Sequence, residues 1–338
     1  MTPVPSRSVT MSDVAARAGV SRTTVSFVLN GRDTISIPHE TRSRILAVAA
    51  ELNYRPNAGA RALASQKTHL VGLITEIVTA PFAVDIIKGA QDQAKLDDRL
   101  LLISSSEDDP SVQEAAVETM LEHRVEGLVF ATTWHRAVRV PDAAASVPVV
   151  LVNCFDPDGR FPSIVPDEIG GGRTATNRLI SAGHRRIGFV NLYPDIPAAI
   201  GRRAGYEQAL AEAGIPLDES LIVSGHATAD RGYDAVSALL DLPNPPTALF
   251  CGNDRIAMGA YDAIKERGLR IPQDVAVVGF DNQELIAAYL RPSLTTVALP
   301  FESMGARGVH LLAEASASEV ARPVRVTAEC PLVERHSV

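Results

Sequence analysis

From residue 69 onward, short runs of β-branched residues and leucine recur between amphipathic helical stretches, and this alternation limits what the chain can fold into. The apolar runs fall at 70–75, 100–104, 127–131, 147–153, 186–191, 221–224, 248–252 and 275–280. Helical periodicity at 82–96, 111–123 and 254–267 fits between them. Strand–helix–strand succession of this kind predicts parallel sheets covered by helices. The region is longer than one such sheet usually holds, so two α/β lobes are expected. No solenoid-type repeat interrupts the pattern.

The first fifty-odd residues have a different texture. They read as three short helices over 10–52, with Thr10 or Ser12 capping the first, Ser21 the second, and Pro38 in the first turn of the third. With Met11 as position one, Val14, Ala18, Val20, Val25 and Val28 occupy apolar slots. Ala15 is small enough for two helices to cross, and Gly19 sits where the turn needs a left-handed residue. The spacing is that of a helix-turn-helix; a purely structural helical hairpin is the other reading.

In a helix-turn-helix the second helix enters the DNA major groove with its N-terminal side chains against base edges. Those side chains are Ser21, Arg22, Thr23, Thr24, Ser26 and Phe27. Arg22 can donate bidentately to guanine O6 and N7, and Thr23 can touch a thymine methyl or donate a hydrogen bond. Ser21, Thr24, Ser26 and Asn30 are better suited to positioning on phosphates. Taken singly, each is equally a solvated helix residue.

Charge follows the same division. The whole chain carries −8, but residues 1–68 hold nine Lys/Arg against four Asp/Glu, a local +5 that leaves −13 for the remainder. A basic head on an acidic body fits nucleic-acid contact confined to the head, or simply an unevenly charged surface. At 46% hydrophobic and 21% charged residues, the composition is that of a globular protein with a sizeable core. No run of eighteen apolar residues suggests a membrane span, and the first residues lack the apolar stretch of a secretory signal. Cys154, Cys251 and Cys330 are far apart and form no Cys-x-x-Cys spacing, so neither a zinc site nor a disulfide framework is expected. These readings predict a cytoplasmic, nucleoid-associated protein without metal or cofactor. No phosphate-binding loop, nucleophile elbow or His-Glu-x-x-His pattern is present, so no catalytic residues are predicted.

The run from Val14 to Ser26, followed by Leu29-Asn30-Gly31, resembles the lactose-repressor/galactose-repressor (LacI-type) family of bacterial transcriptional regulators. So does Leu52-Asn53-Tyr54-Arg55-Pro56-Asn57 with Ala60 and Leu63, and the similarity continues along nearly the whole chain. The resemblance implies an all-α head at 1–56, a hinge helix and linker at 57–68, and an effector-binding body at 69–338. That body would be two Rossmann-like α/β subdomains of periplasmic-binding-protein type. The expected division is an N-subdomain of about 69–167 and 298–324, and a C-subdomain of about 168–297 and 325–338. The resemblance further implies a homodimer reading a pseudo-palindromic operator on double-stranded DNA, under allosteric control by a sugar or similar metabolite. Repression is the expected outcome, while the direction of the effector's influence is left open.

The family also implies a hinge that orders on DNA, with Asn57 capping it, Arg61 adding a basic contact and Leu63 wedging into the minor groove. Leu63 could instead anchor an ordinary linker against the body. Gly59 replaces the usual bulkier residue and lowers helix propensity by about 1 kcal/mol. Phe27 stands where the family commonly has a base-contacting arginine. Phenylalanine can meet thymine methyls or pack inward but cannot donate to guanine, so an altered half-site is expected.

For the effector, Asn253 after the 248–252 run and Asp281 after the 275–280 run resemble the family's ligand-contacting motifs. Arg202, ahead of Gly205-Tyr206, matches an arginine that binds sugar hydroxyls. Phe82 could stack on a ring face, Asn153 and Asp167 occupy similar strand ends, and Phe301 closes one side. Against this, Asn253 and Asp281 could be helix caps, Arg202 a surface residue and Phe82 plain core. Ala227 falls where many relatives carry an aromatic wall, which Trp134 could replace. Without a basic cluster in the cleft, a neutral sugar or polyol is favoured over a phosphorylated one. The chain closes soon after Leu332-Val333-Glu334-Arg335 without a leucine heptad, so a dimer rather than a tetramer is expected. A periplasmic receptor and an α/β enzyme are the competing classes; salt-dependent DNA binding separates them from a regulator.

Overall fold

A computed structural model describes residues 9–29, 36–55, 67–225, 227–317 and 324–338, with the side chains of 81, 82, 316 and 317 outside that set. The chain divides into two compact units, Met1–Thr68 and His69–Val338.

In the first unit, α1 (Met11–Ala18), α2 (Arg22–Leu29) and α3 (His39–Glu51) share one small core. Thr10 caps α1 reciprocally: its backbone N–H donates to the Asp13 carboxylate at 2.8 Å, and Asp13 N–H donates to the Thr10 hydroxyl oxygen at 3.4 Å. Gly19 ends α1 at φ 66°, a conformation that a Cβ would strain. Ser21 accepts the Thr24 N–H at 3.1 Å and so starts α2. Pro38 stands one residue ahead of α3 rather than inside it. Val14, Ala15, Ala18, Val25 and Val28 bury against Ile45, Val48 and Ala49, which fixes the angle at which α2 is presented.

The second unit contains two six-stranded sheets. The first lobe is built from β1 (Leu70–Thr75), α4 (Pro81–Leu96), β2 (Leu100–Ser105), α5 (Pro110–Glu122), β3 (Leu128–Ala137), β4 (Val149–Phe155) and β5 (Ser163–Pro166). The second contains α6 (Glu168–Ser181), β6 (Ile187–Asn191), α7 (Pro197–Glu212), β7 (Ile222–Ser224), α8 (Ala229–Leu240), β8 (Ala248–Cys251), α9 (Asp254–Glu266), β9 (Ala276–Asp281), α10 (Glu284–Ala287) and β10 (Thr295–Ala298). The chain then returns through α11 (Phe301–Ala317) and β11 (Arg325–Ala328) before β12 (Leu332–Val333).

Strand order is β11-β5-β4-β3-β1-β2 in the first sheet and β12-β10-β9-β8-β6-β7 in the second. All pairings are parallel except β10 with β12. Central strands β4, β6, β8 and β9 are buried almost throughout, because helices cover both faces of a parallel sheet. Each lobe accordingly has two apolar clusters, one on each side of its sheet.

One expected boundary is corrected. Residues 325–338 do not belong to the C-subdomain as a block. Arg325–Ala328 pairs with β5 and completes the first sheet, whereas Leu332–Val333 joins the second and Ser337 bonds Thr295 and Val277 there. A strand of four residues with alternating exposure carries too little apolar pattern to announce which sheet it edges. The chain thus passes between the lobes three times, after β5, after β10 and after β11.

Candidate functional site

The first candidate surface is the exposed face of α2. Ser21, Arg22 and Thr23 are exposed, while Thr24, Ser26 and Phe27 are half-buried. The Ser21 and Thr24 hydroxyls lie 2.8 Å apart, so Ser21 serves the helix start as well as the surface. No acidic residue occurs in the first turn of α2. Its N-terminus therefore keeps an uncompensated positive dipole end beside Arg22, an arrangement that favours phosphate. Phe27 is not among the described side chains packed on the head's core. Asn30, Asn57, Arg61 and Leu63 lie outside the described residues.

The second candidate is the cleft between the lobes, at the carboxyl ends of the strands. It is organised by Arg202, only 3% exposed. Helices α6 and α7 approach so closely that a Cβ on Gly205 would fall 2.2 Å from the Ile169 carbonyl oxygen. That approach brings Arg202 of α7 onto Glu168, the first residue of α6: Nε donates to Oε2 at 2.8 Å. The Arg202 Nη1 also donates to the Gly252 carbonyl and lies 3.4 Å from Asp281 Oδ1. Its guanidinium carbon sits 3.7 Å from the centroid of the Phe280 ring. Glu168 in turn faces His135 of β3 in the other lobe, Oε1 to Nδ1 at 3.5 Å. Polar side chains therefore run from one lobe to the other.

Electrostatics separate the three carboxyls. Burial pushes Glu168 up, but the Arg202 charge and its hydrogen bonds outweigh this and hold it below the ordinary range. Asp281 stands farther from Arg202, and burial prevails there, raising it to about 6. Asp254, fully buried, is pushed well above its ordinary value by burial and then by the Asp281 charge. Asp254 accepts Thr296 Oγ1–H at 2.6 Å and Gln283 N–H at 2.7 Å, tying the segments that follow β8 and β9 to β10.

The expected cleft residues divide. Arg202 and Asp281 come together. Asn153, at φ 59° and 1% exposed, lies within β4 and ties it to β3, its side-chain amide donating to the Thr132 carbonyl at 2.9 Å. Asp167 accepts the Gly170 N–H at 2.8 Å and caps α6. Asn253 caps α9 by accepting the Ile256 N–H at 2.8 Å, and its amide donates to the Ala227 carbonyl at 3.3 Å. The surface alternative for Arg202 is thus excluded, and the helix-cap alternative holds for Asn253. Phe301 is corrected: it is a core residue of the first lobe, packed with Val71, Ile86 and Met304, because an apolar ring at the start of α11 gains more from that core than from a polar cleft. The Phe82 side chain lies outside the described set. Trp134 has Arg136 over its ring at 5.1 Å, and Ala227 packs against the second-lobe core. Glu168 and His135 were not anticipated. An acidic residue directly after the strand-end Asp167 was the available signal for the first; His135 lies beyond the apolar run that marks β3, and carried none.

Residues 10–57 match the family described as bacterial regulatory proteins, lacI family, and residues 176–338 match the periplasmic binding protein-like domain. The chain is 35% identical over 303 residues to the ribose operon repressor of Haemophilus influenzae, covering 90% of each protein. Among solved structures, it resembles the lac repressor dimer bound to operator and the anti-inducer ONPF, with TM-score 0.80, 28% identity and coverage of 98% and 99%. It also resembles the transcriptional regulator CelR in complex with cellobiose, with TM-score 0.67, 32% identity and coverage of 98% and 100%.

Proposed function

The chain belongs to the lacI family of bacterial regulatory proteins, and from that premise we propose that it is a transcriptional repressor whose hold on a pseudo-palindromic operator is set by a neutral sugar bound between its lobes. The observation that carries the DNA side is the face of α2: an exposed Arg22 and Thr23 on a helix start without acidic residues. Arg22 and Thr23 read base edges, Ser21, Thr24 and Ser26 hold phosphates, and Phe27 meets thymine methyls. Asn30 and the hinge residues Asn57, Arg61 and Leu63 extend that contact, with Leu63 as the minor-groove wedge.

On the effector side, Asp281 and Arg202 are the hydroxyl-binding pair, with Asn153 and Asp167 at neighbouring strand ends and Phe82 against the sugar ring. Arg202 already faces Glu168 and Asp281. A phosphate brought to this guanidinium would meet two carboxyls, whereas a hydroxyl can donate to a carboxylate and accept from the guanidinium. The cellobiose complex of the related regulator CelR supports a sugar as the ligand class. Binding in place of an enzymatic role is supported by the relatives, which are named repressors and regulators. No described helix is long and apolar enough to cross a membrane.

A homodimer is supported by exposed apolar side chains in each lobe, Val78 and Val84 near α4 and Leu285 and Tyr289 around α10. The related lac repressor forms a dimer on its operator. The test is a thermal-shift screen comparing neutral sugars with sugar phosphates and nucleobases. The proposal expects a neutral sugar to raise the Tm, with the shift reduced in Asp281→Ala. Stabilisation by a sugar phosphate or nucleobase alone would contradict it.

A further inference from the structure

A cavity of about 550 Å³ lies wholly within the first lobe, apart from the cleft. Its origin is a register shift between β3 and β4: the strands pair as far as Ala131, then lose register until Arg136. The intervening residues bow outward and open a space over the carboxyl ends of β1 and β3. Ile74 and Phe130 form an apolar floor, and Glu76, Gln113, Thr132 and Arg136 supply polar walls. Strand order reverses beside β1, which has β2 on one side and β3 on the other. In open α/β sheets that reversal is where crevices form and ligands bind.

Two buried polar groups have capacity to spare. Glu76 is 6% exposed and uses Oε1 to accept the Thr133 N–H and hydroxyl, each at 2.6 Å. Among the described residues, its Oε2 has only the Thr75 hydroxyl at 3.5 Å. The Arg136 Nε–H is buried without a partner among the described residues, although the other end of the guanidinium is tied to Asp108. Buried N–H groups of this kind are costly unless something accepts from them. A hydroxyl meets both needs, accepting from Arg136 and donating to Glu76. The walls bring six carboxylates against three arginines, an excess that opposes an anionic occupant.

We propose that this cavity is a second small-molecule site, distinct from the cleft, for an uncharged polyhydroxylated ligand of mono- to disaccharide size. The volume lies within the range of pockets that enclose small ligands. None of Asn153, Asp167, Arg202, Asn253 and Asp281 contributes to its walls. The two sites share β3: Thr132 and Arg136 line the cavity, while His135 between them reaches Glu168 across the lobes.

Trp134, the sole tryptophan, has the Arg136 guanidinium over its ring and so reports on the cavity. The full chain is titrated with ribose, glucose, maltose and sorbitol at millimolar concentrations while Trp134 emission is followed. At least one should give a saturable change that survives in Asp281→Asn. Ala137→Phe, placed at an exposed wall position, should weaken the apparent Kd by at least about tenfold. Arg136→Gln should weaken it similarly, read by calorimetry because this change alters the emission baseline. The proposal is overturned if none of the four probes gives a saturable change, if the change persists at full affinity in Ala137→Phe, or if Asp281→Asn removes it.

Discussion

Arg202 and Glu168 form an ion pair of 2.8 Å in which both side chains are almost completely buried. Removing one partner of such a pair strands the other charge away from water. Glu168→Ala is therefore expected to cost about 3–5 kcal/mol of unfolding free energy. Glu51→Ala, at the exposed pair with Arg17, should change stability by less than about 1 kcal/mol. Urea unfolding of both variants checks the contrast; equal small losses would show that Glu168 does not hold Arg202.

Asp281 gives stability a pH dependence of defined sign. Its carboxyl is raised by burial to about 6, so between its unfolded value near 4 and pH 6 the folded protein binds more protons than the unfolded one. Its contribution is complete below the unfolded value and is lost as pH rises through 6, amounting to about 3 kcal/mol at most. Asp281→Asn should flatten that fall. Denaturant midpoints at pH 4.5, 5.5 and 6.5 for the two proteins provide the measurement, and parallel curves would contradict the assignment.

On α2, neighbouring residues should behave differently. Arg22→Ala removes an exposed guanidinium, and should weaken specific DNA binding by about 1–3 kcal/mol with little effect on melting. Ser21→Ala removes the acceptor of the Thr24 N–H, and should lower stability of the head by about 1 kcal/mol. Fluorescence anisotropy on the selected operator and thermal melting of each variant separate the two roles.

Asn253 supports α9 through its side-chain oxygen. Asn253→Ala should destabilise the chain by about 1 kcal/mol, and Asn253→Asp, which keeps an acceptor at the cap, should recover most of that loss. Recovery in neither melting nor urea unfolding would mean that the bond to the Ala227 carbonyl dominates instead.

How much of this was legible depended on the length and apolar content of each element. The eight runs read from sequence all correspond to strands. The central ones are apolar on both faces because a parallel sheet buries them, and the edge strands β2 and β7 keep apolar runs although they are not buried. Ser163–Pro166, Thr295–Ala298, Arg325–Ala328 and Leu332–Val333 were not read, being too short to show a period. The extension of β3 through Thr132–Ala137 was also lost, since its polar residues serve the cavity and the lobe contact rather than a core. Arg202 and Asp281 were recognisable through resemblance. Glu168 and His135 act through partners distant in sequence, and such pairings have no local signature. Phe301 shows the opposite error: an aromatic residue near a crossing point resembles a cleft wall until the core it fills is seen.

The central claim is that α2 reads a two-fold symmetric DNA site. Selection of random-sequence duplexes by the full chain tests it most directly, followed by anisotropy on the winning site across a salt series. The account predicts enrichment of a pseudo-palindrome, loss of that enrichment in Arg22→Ala, and affinity that falls steeply as salt rises. Enrichment without two-fold symmetry, or binding indifferent to Arg22 and to salt, would contradict it.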